Sequence, residues 1–413
     1  MTQPGAQPST PLSPLSPLSS SPTRGSAGGT RVLLIVIGCW LLALAVIIRM
    51  TWWTVPSGLA DLAVYRTGAL AVRHGGALYS ISTPQGLPFT YPPVSAILAV
   101  PLTLVPLRAA EFAWTVMVYV PLAVAVGVGF RDLLQRAGPY RQAVFAALIA
   151  CCAFLVPVEQ VMSFGQIDLF LVALCLVDCR ANRPWWPRGA LIGLATAVKL
   201  EPGVFILYLL ITGRRRAAAV AASSFAALTA AAWLLAPQDS LTYWTGAMFE
   251  TRRLGGNAAA GNQSLRGMLL RSDVPGHLAS VLWPIIAVAV AAGGFAAARA
   301  CWRRGDDTAG VAIVGLLAAL LSPVGWIHHL CWIVVAIGVI AGPGRDWRRV
   351  TAAVVAFGLF LLRLPTWAQS SGAAQPAAVR RLLEDSFGLA ALCLIGLIFG
   401  LGQRRPKGHS AIQ

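Results

Sequence analysis

Asp61 opens the segment D-L-A-V-Y-R, four residues ahead of Tyr65 and five ahead of Arg66, on an amphipathic stretch that runs to His74. A carboxylate there either accepts backbone N–H groups as the cap of a helix or acts as a general base toward a substrate arriving from one side. P-F-T-Y-P-P follows and carries Tyr91. Further on, G-N-Q-S-L-R-G-M-L-L-R supplies Asn262, Gln263 and Arg266. Neutral amides suit sugar hydroxyls and a guanidinium suits phosphate; the alternative is a polar loop capping a re-entrant helix. S-P-V-G-W-I-H-H ends in His328 and His329. A metal would need a third ligand that the sequence does not place beside them. Interfacial hydrogen bonding or contact with an anionic headgroup are the other uses of such a pair. Gln166 and Asp168 in G-Q-I-D, and Lys199 and Glu201 in K-L-E-P, interrupt apolar runs. Lys199 is one of only two lysines, so its ammonium is either half of a structural ion pair or a phosphate ligand.

The elements that must hold these residues are membrane helices. Of 413 residues, 57% are hydrophobic and 11% charged, with a mean hydropathy of +0.70. Soluble domains carry about 25% charged residues, so this chain has too few polar groups to cover a soluble surface. The net charge of +17 would suggest nucleic acid on a soluble protein; beside long apolar runs it reads as cytoplasmic loop charge, with no nucleic-acid partner. The eight cysteines lie in or at the edge of apolar runs and form no C-x-x-C pair, so they read as small buried hydrophobes.

Residues 1–30 are rich in Pro, Ser, Gly and Thr and are expected to be a disordered cytoplasmic tail. An uncleaved first span runs from Val32 to Ile48. Apolar segments follow at 94–106, 110–130, 142–158, 167–179, 189–212, 217–236, 278–298, 309–322, 329–341, 350–364 and 386–402. The expectation is an all-α polytopic protein of about 11–13 membrane segments, since only helices or closed barrels satisfy the backbone in lipid. One domain covers 31–402, with polar loops at about 50–92 and 237–277 on the outer side, and 403–413 forms a second cytoplasmic tail.

Arginine clusters near 214–216, 299–304, 345–349 and 404–407 mark the inside, and twelve simple spans satisfy all four. Two clusters, Arg131–Arg141 and Arg180–Arg188, would then lie outside. They move inside if 94–106 and the K-L-E-P-broken segment 189–212 do not each cross fully. Sequence leaves that choice open.

Taken in order, D-L-A-V-Y-R, Y-P-P, G-Q-I-D, K-L-E-P, G-N-Q-S-L-R-G and S-P-V-G-W-I-H-H resemble one known group over residues 31–402. These are the GT-C-type polyprenol-phosphate-mannose-dependent α-(1→2)-mannosyltransferases of actinobacterial cell envelopes, which act on phosphatidylinositol mannosides and lipomannan. The resemblance implies a GT-C architecture in the cell membrane with its active site on the extracytoplasmic face. It implies a polyprenyl phosphate mannose donor, a mannosylated glycolipid acceptor, and no metal or other cofactor. A β-linked donor and an α-linked product imply one displacement with inversion. Asp61 would be the catalytic carboxylate; His328, His329, Arg266 and Lys199 would meet the donor phosphate. Tyr65, Arg66, Tyr91, Gln166, Asp168, Glu201, Asn262 and Gln263 would bind substrate. Transfer of another lipid-phosphate sugar such as arabinose, a lipid-linked glycan transporter or flippase, and a non-catalytic assembly subunit are the competing readings.

Overall fold

The computed structural model describes residues 25–182, 184–371 and 375–403. Most of the first expected tail, Arg183, and the C-terminal tail with its Arg404, Arg405 and Lys407 cluster lie outside the described residues. The first helix, Gly25–Ser57, begins six residues before the expected start of the membrane domain. Once an apolar helix is nucleated, extending it backwards adds one hydrogen bond per residue fixed.

The protein is polytopic and all-α. Among the described residues there is no strand, only isolated bridges Ser82↔Pro88 and Asn262↔Trp326. Four helices are long and apolar enough to cross a bilayer, or up to seven if each of three bent pairs counts as one span. This is fewer than 11–13, because several apolar segments are short or broken. Segment 94–106 becomes Pro93–Leu98 and a 3-10 turn, Val100–Thr103. Six helical residues reach only about 9 Å, far less than a membrane. Segment 189–212 breaks at Lys199, whose backbone is extended (φ −148°, ψ 133°), between Ala190–Val198 and Val204–Ile211.

Two short helices fill the centre. Every residue from Ala309 to Leu320 is buried, and Ile327–Ala341 is almost as enclosed. A helix apolar on all sides is stable only when other helices surround it. Gly129 and Gly338 let Tyr119–Gly129 meet Ile333–Ala341 backbone to backbone, the close approach that small residues permit between membrane helices. The periphery is apolar too, with Leu34, Trp52, Leu234 and Val288 exposed where lipid would lie.

Ion pairs resolve the arginine clusters. Arg180 from one disputed cluster and Arg214 from an expected inner one share Asp307 Oδ2, at 3.4 and 3.2 Å. Arg136 from the other disputed cluster donates to the carbonyls of Pro343 and Gly344, beside the 345–349 cluster. Arg180 and Arg136 of the disputed clusters therefore sit beside Arg214 and the start of the 345–349 cluster, as the arrangement with two incomplete crossings requires. Asp61, Gln166, Lys199 and His328 meet elsewhere, around one cavity.

Candidate active site

Asp61 lies in the first turn of the helix Ala60–His74. Leu59 occupies the N-cap position and no side chain caps the helix, so the capping role weighed from sequence is not the one seen. The carboxylate instead lines a cavity of about 900 Å³. Burial pushes its pKa up to about 6, opposed by a hydrogen bond with Gln166 and by the charge of Lys199. A carboxylate poised there is ionised at neutral pH yet still basic enough to take a proton.

Gly165 explains how Gln166 reaches Asp61. It ends the helix Val156–Phe164 in the left-handed region, φ +71°, directly against Leu59 and Leu62. Gln166 then joins two phenols: Tyr65 Oη donates to Gln166 Oε1 at 2.8 Å, and Gln166 Nε2 donates to Tyr91 Oη at 3.3 Å. Burial drives the Tyr65 phenol far above its usual range and Tyr91 up to about 12. Both are neutral hydrogen-bonding groups. Tyr91 and Gln166 line the cavity beside Asp61.

Lys199 ends a helix whose continuation Pro202 interrupts, so its extended backbone turns the ammonium inward. Nζ lies 2.7 Å from Asp168 Oδ1, 3.7 Å from Glu201 Oε2 and 3.0 Å from His329 Nε2. The other ring nitrogen of His329, Nδ1, stands 2.7 Å from Glu201 Oε1. His329 is thus held on both sides. His328 is also buried and lines the cavity as His329 does, but neither of its ring nitrogens has a partner among the described residues. Buried polar atoms are normally satisfied, so this ring is the member of the pair free to meet a ligand.

Ligand atoms of Asp168, His328 and His329 all fall within 4.8 Å of one another. Folding therefore supplies the third metal-ligating group that the sequence did not place beside the histidines. The Lys199 ammonium touches two of the three and brings a positive charge to that cluster.

Three expected site residues are used differently. Arg66 donates to the carbonyls of Leu102 and Val105, fastening its helix to the following turn. Asn262 accepts from Gly325 N and Ser264 N and donates to Asn257 O. Gln263 donates to the Ala260 and Glu384 carbonyls and accepts from Gly388 N. Both amides are fully buried: Asn262 ties the 257–264 loop to the segment leading to the histidines, and Gln263 ties it to the start of the last helix. Arg266 stands one layer back, donating to Thr251 Oγ1 at 3.1 Å. Thr251 itself lines the cavity, together with Arg252 and Arg253. Sequence reasoning passed over those two arginines because T-R-R-L looks like any basic loop.

The chain matches glycosyltransferase family 87 over residues 89–323, more than half its length. It belongs to that family. Similar family members come from mycobacteria. A protein of Mycobacterium tuberculosis named polyprenol-phosphate-mannose-dependent alpha-(1-2)-phosphatidylinositol mannoside mannosyltransferase is 35% identical, with 84% of each chain covered. Another from the same species, named for phosphatidylinositol pentamannoside, is 33% identical over 78% of this chain and 76% of its own. One from Mycolicibacterium smegmatis, named like the first, is 34% identical over 73% of this chain and 74% of its own. No solved structure matches the chain. The family 87 match includes Tyr91, Gln166, Asp168, Lys199, Glu201 and the 261–271 loop, and stops at Pro323; Asp61 and both histidines fall outside that range.

Proposed function

We propose that this family 87 glycosyltransferase moves mannose from a polyprenyl phosphate mannose to a hydroxyl of a phosphatidylinositol mannoside glycolipid, making an α-(1→2) bond with inversion. One observation carries the assignment of roles. A single cavity holds a carboxylate tuned to about pH 6 together with an orphaned histidine and a buried lysine cluster.

Asp61 takes the proton from the acceptor hydroxyl as its oxygen attacks the anomeric carbon. The bond from that carbon to the phosphate oxygen breaks on the opposite face, and the electron pair leaves with the phosphate. His328 hydrogen-bonds the departing oxygen, and the Lys199–His329 pair, clamped by Asp168 and Glu201, keeps the surrounding field fixed. Such preorganised donors avoid the reorganisation water would need. Tyr91 and Gln166 orient Asp61 and face the sugar, and Tyr65 holds Gln166 from behind. Asn262 and Gln263 act by holding the loop in place. The site faces the extracytoplasmic side of the cell membrane, opposite the arginine-rich end.

The deciding assay incubates membranes containing the chain with labelled polyprenyl phosphate mannose and a phosphatidylinositol mannoside. Label is expected in an extended glycolipid, with an α-(1→2) linkage by product analysis. Asp61→Asn should cut transfer by at least about 10²-fold, the scale of general-base assistance. Near wild-type turnover by the purified variant would remove Asp61 from this role. Movement of lipid-linked sugar without chemistry would favour a transporter.

A further inference from the structure

The cavity has two basic regions, and they differ in what balances them. Around Lys199, the ammonium faces two carboxylates, Asp168 at 2.7 Å and Glu201 at 3.7 Å, with Asp61 lining the same cavity. That region can donate hydrogen bonds, but it has little net positive charge to offer an anion. The second region is the turn Thr251–Leu254. Arg252 is exposed, lines the cavity and makes no side-chain ion pair or hydrogen bond among the described residues. Arg253 donates from Nη2 to the Tyr79 carbonyl at 2.7 Å and lies 3.8 Å from a mostly exposed Glu250, while its buried Nε has no partner. Arg266 stands behind, on Thr251. Three guanidiniums thus surround one turn, with one loosely held acid between them.

The same segment carries bare apolar side chains. Phe249 is 69% exposed and Leu254 37% exposed, on either side of the arginines. Apolar groups flanking one free and one loosely paired arginine suit the level of lipid headgroups, where the first enter the acyl region and the second meet phosphate.

The geometry points to Arg252 and Arg253 as a clamp for the phosphodiester of a lipid substrate entering the cavity from the bilayer. This rests on the mannosyltransferase reading. Both lipids in the proposed reaction carry such a group, one next to the sugar transferred and one next to the acceptor's inositol. Arg253 is anchored and presents its guanidinium edge, whereas Arg252 is free to swing and close on the anion, since guanidinium–phosphate contacts are charge-assisted and directional.

The test uses the full chain in nanodiscs and the Arg252→Gln variant, which breaks no side-chain hydrogen bond or ion pair among the described residues. KM is measured for polyprenyl phosphate mannose, for a phosphatidylinositol mannoside, and for an alkyl mannoside acceptor without phosphate. A KM raised about tenfold for the donor alone assigns the clamp to the donor phosphate. A similar rise for the phosphatidylinositol mannoside alone, with the alkyl mannoside unaffected, assigns it to the acceptor. With the clamp on the acceptor, kcat at saturation should hold; with it on the donor, kcat should fall as well, because negative charge grows on the leaving phosphate. Arg252→Lys, which keeps the charge without the planar fork, should recover part of the loss. Unchanged KM values for both lipids, or an equal rise for the alkyl mannoside, would overturn the clamp. Binding of polyprenyl phosphate against uncharged polyprenol is followed by tryptophan fluorescence without turnover. Loss of the phosphate preference in Arg252→Gln places the clamp on the polyprenyl phosphate even if the chain transfers a different sugar; a preference equal to wild type together with an unchanged KM for the phosphatidylinositol mannoside counts against the clamp.

Discussion

Ionised Asp61 weighs on the fold and serves the proposed reaction, and the two effects can be separated. Its folded pKa of about 6 lies above the ordinary carboxylate value. The protonated form therefore favours the fold at low pH, and that contribution is lost as pH rises through about 6. Asn is neutral throughout, so Asp61→Asn should leave thermal stability equal or higher near pH 7.5, by about 1–2 kcal/mol once cavity water screens the charge. The gain should vanish below about pH 4, where both states of the wild-type carboxyl are protonated. Transfer by the wild type should fall about tenfold per pH unit on the acid side of an apparent pKa near 6. An acid limb centred near pH 4 would mean that another group gives up the proton. Lys199→Met makes the contrasting case. It leaves Asp168 and Glu201 buried without their cation, a change of about 3–5 kcal/mol for a broken buried pair. Thermal denaturation should show a large loss of stability alongside lost activity. Equal stability to wild type would mean that the cluster does not depend on the ammonium.

At the scale of elements, a turn between two helices sets the position of the carboxylate. Gly165 is tied to its left-handed backbone, and an added Cβ would sit 2.8 Å from the Cβ atoms of Leu59 and Leu62, which bracket Asp61. Gly165→Ala should cost about 1–3 kcal/mol in strain and lower kcat by about tenfold or more, because it pushes both Gln166 and the Asp61 helix off register. Wild-type kcat in the folded variant would show that this packing does not govern the site. Much here was legible in sequence: the helix to His74, the break at K-L-E-P, and polar motifs gathered into one place. Those features depend on local spacing and on the cost of polar groups in lipid. The uses of Asn262 and Gln263 were not legible, because an amide that binds sugar and one that pins a loop look alike until its partners are known. The side of the Arg131–Arg141 and Arg180–Arg188 clusters was equally hidden, since Asp307 and the Pro343 carbonyl, distant in sequence, decide it.

For the molecule as a whole, the arginine end and the cavity should face opposite sides of the membrane. Gln85 is exposed in the turn next to the cavity wall formed by Gly86, Leu87 and Pro88. A Gln85→Cys chain should react with a membrane-impermeant maleimide in intact cells, above the background of the native cysteines. Labelling only after the cells are opened would reverse the orientation. The uneven lengths of the helices carry a further consequence. Gly276–Arg303 has 28 residues and would span about 42 Å upright, whereas Asp307–Leu321, packed against it, has 15 and spans about 22 Å. A bilayer core near 30 Å is shorter than the first and longer than the second, so the long helix extends past the core, tilts or bends at Pro284, while the short one stays wrapped in protein. The thickness of the surrounding lipid then bears on how far that helix leans, and with it on the depth at which the lipid donor of the proposed reaction would meet the cavity. Acyl-chain length is therefore expected to change turnover without touching any residue of the site.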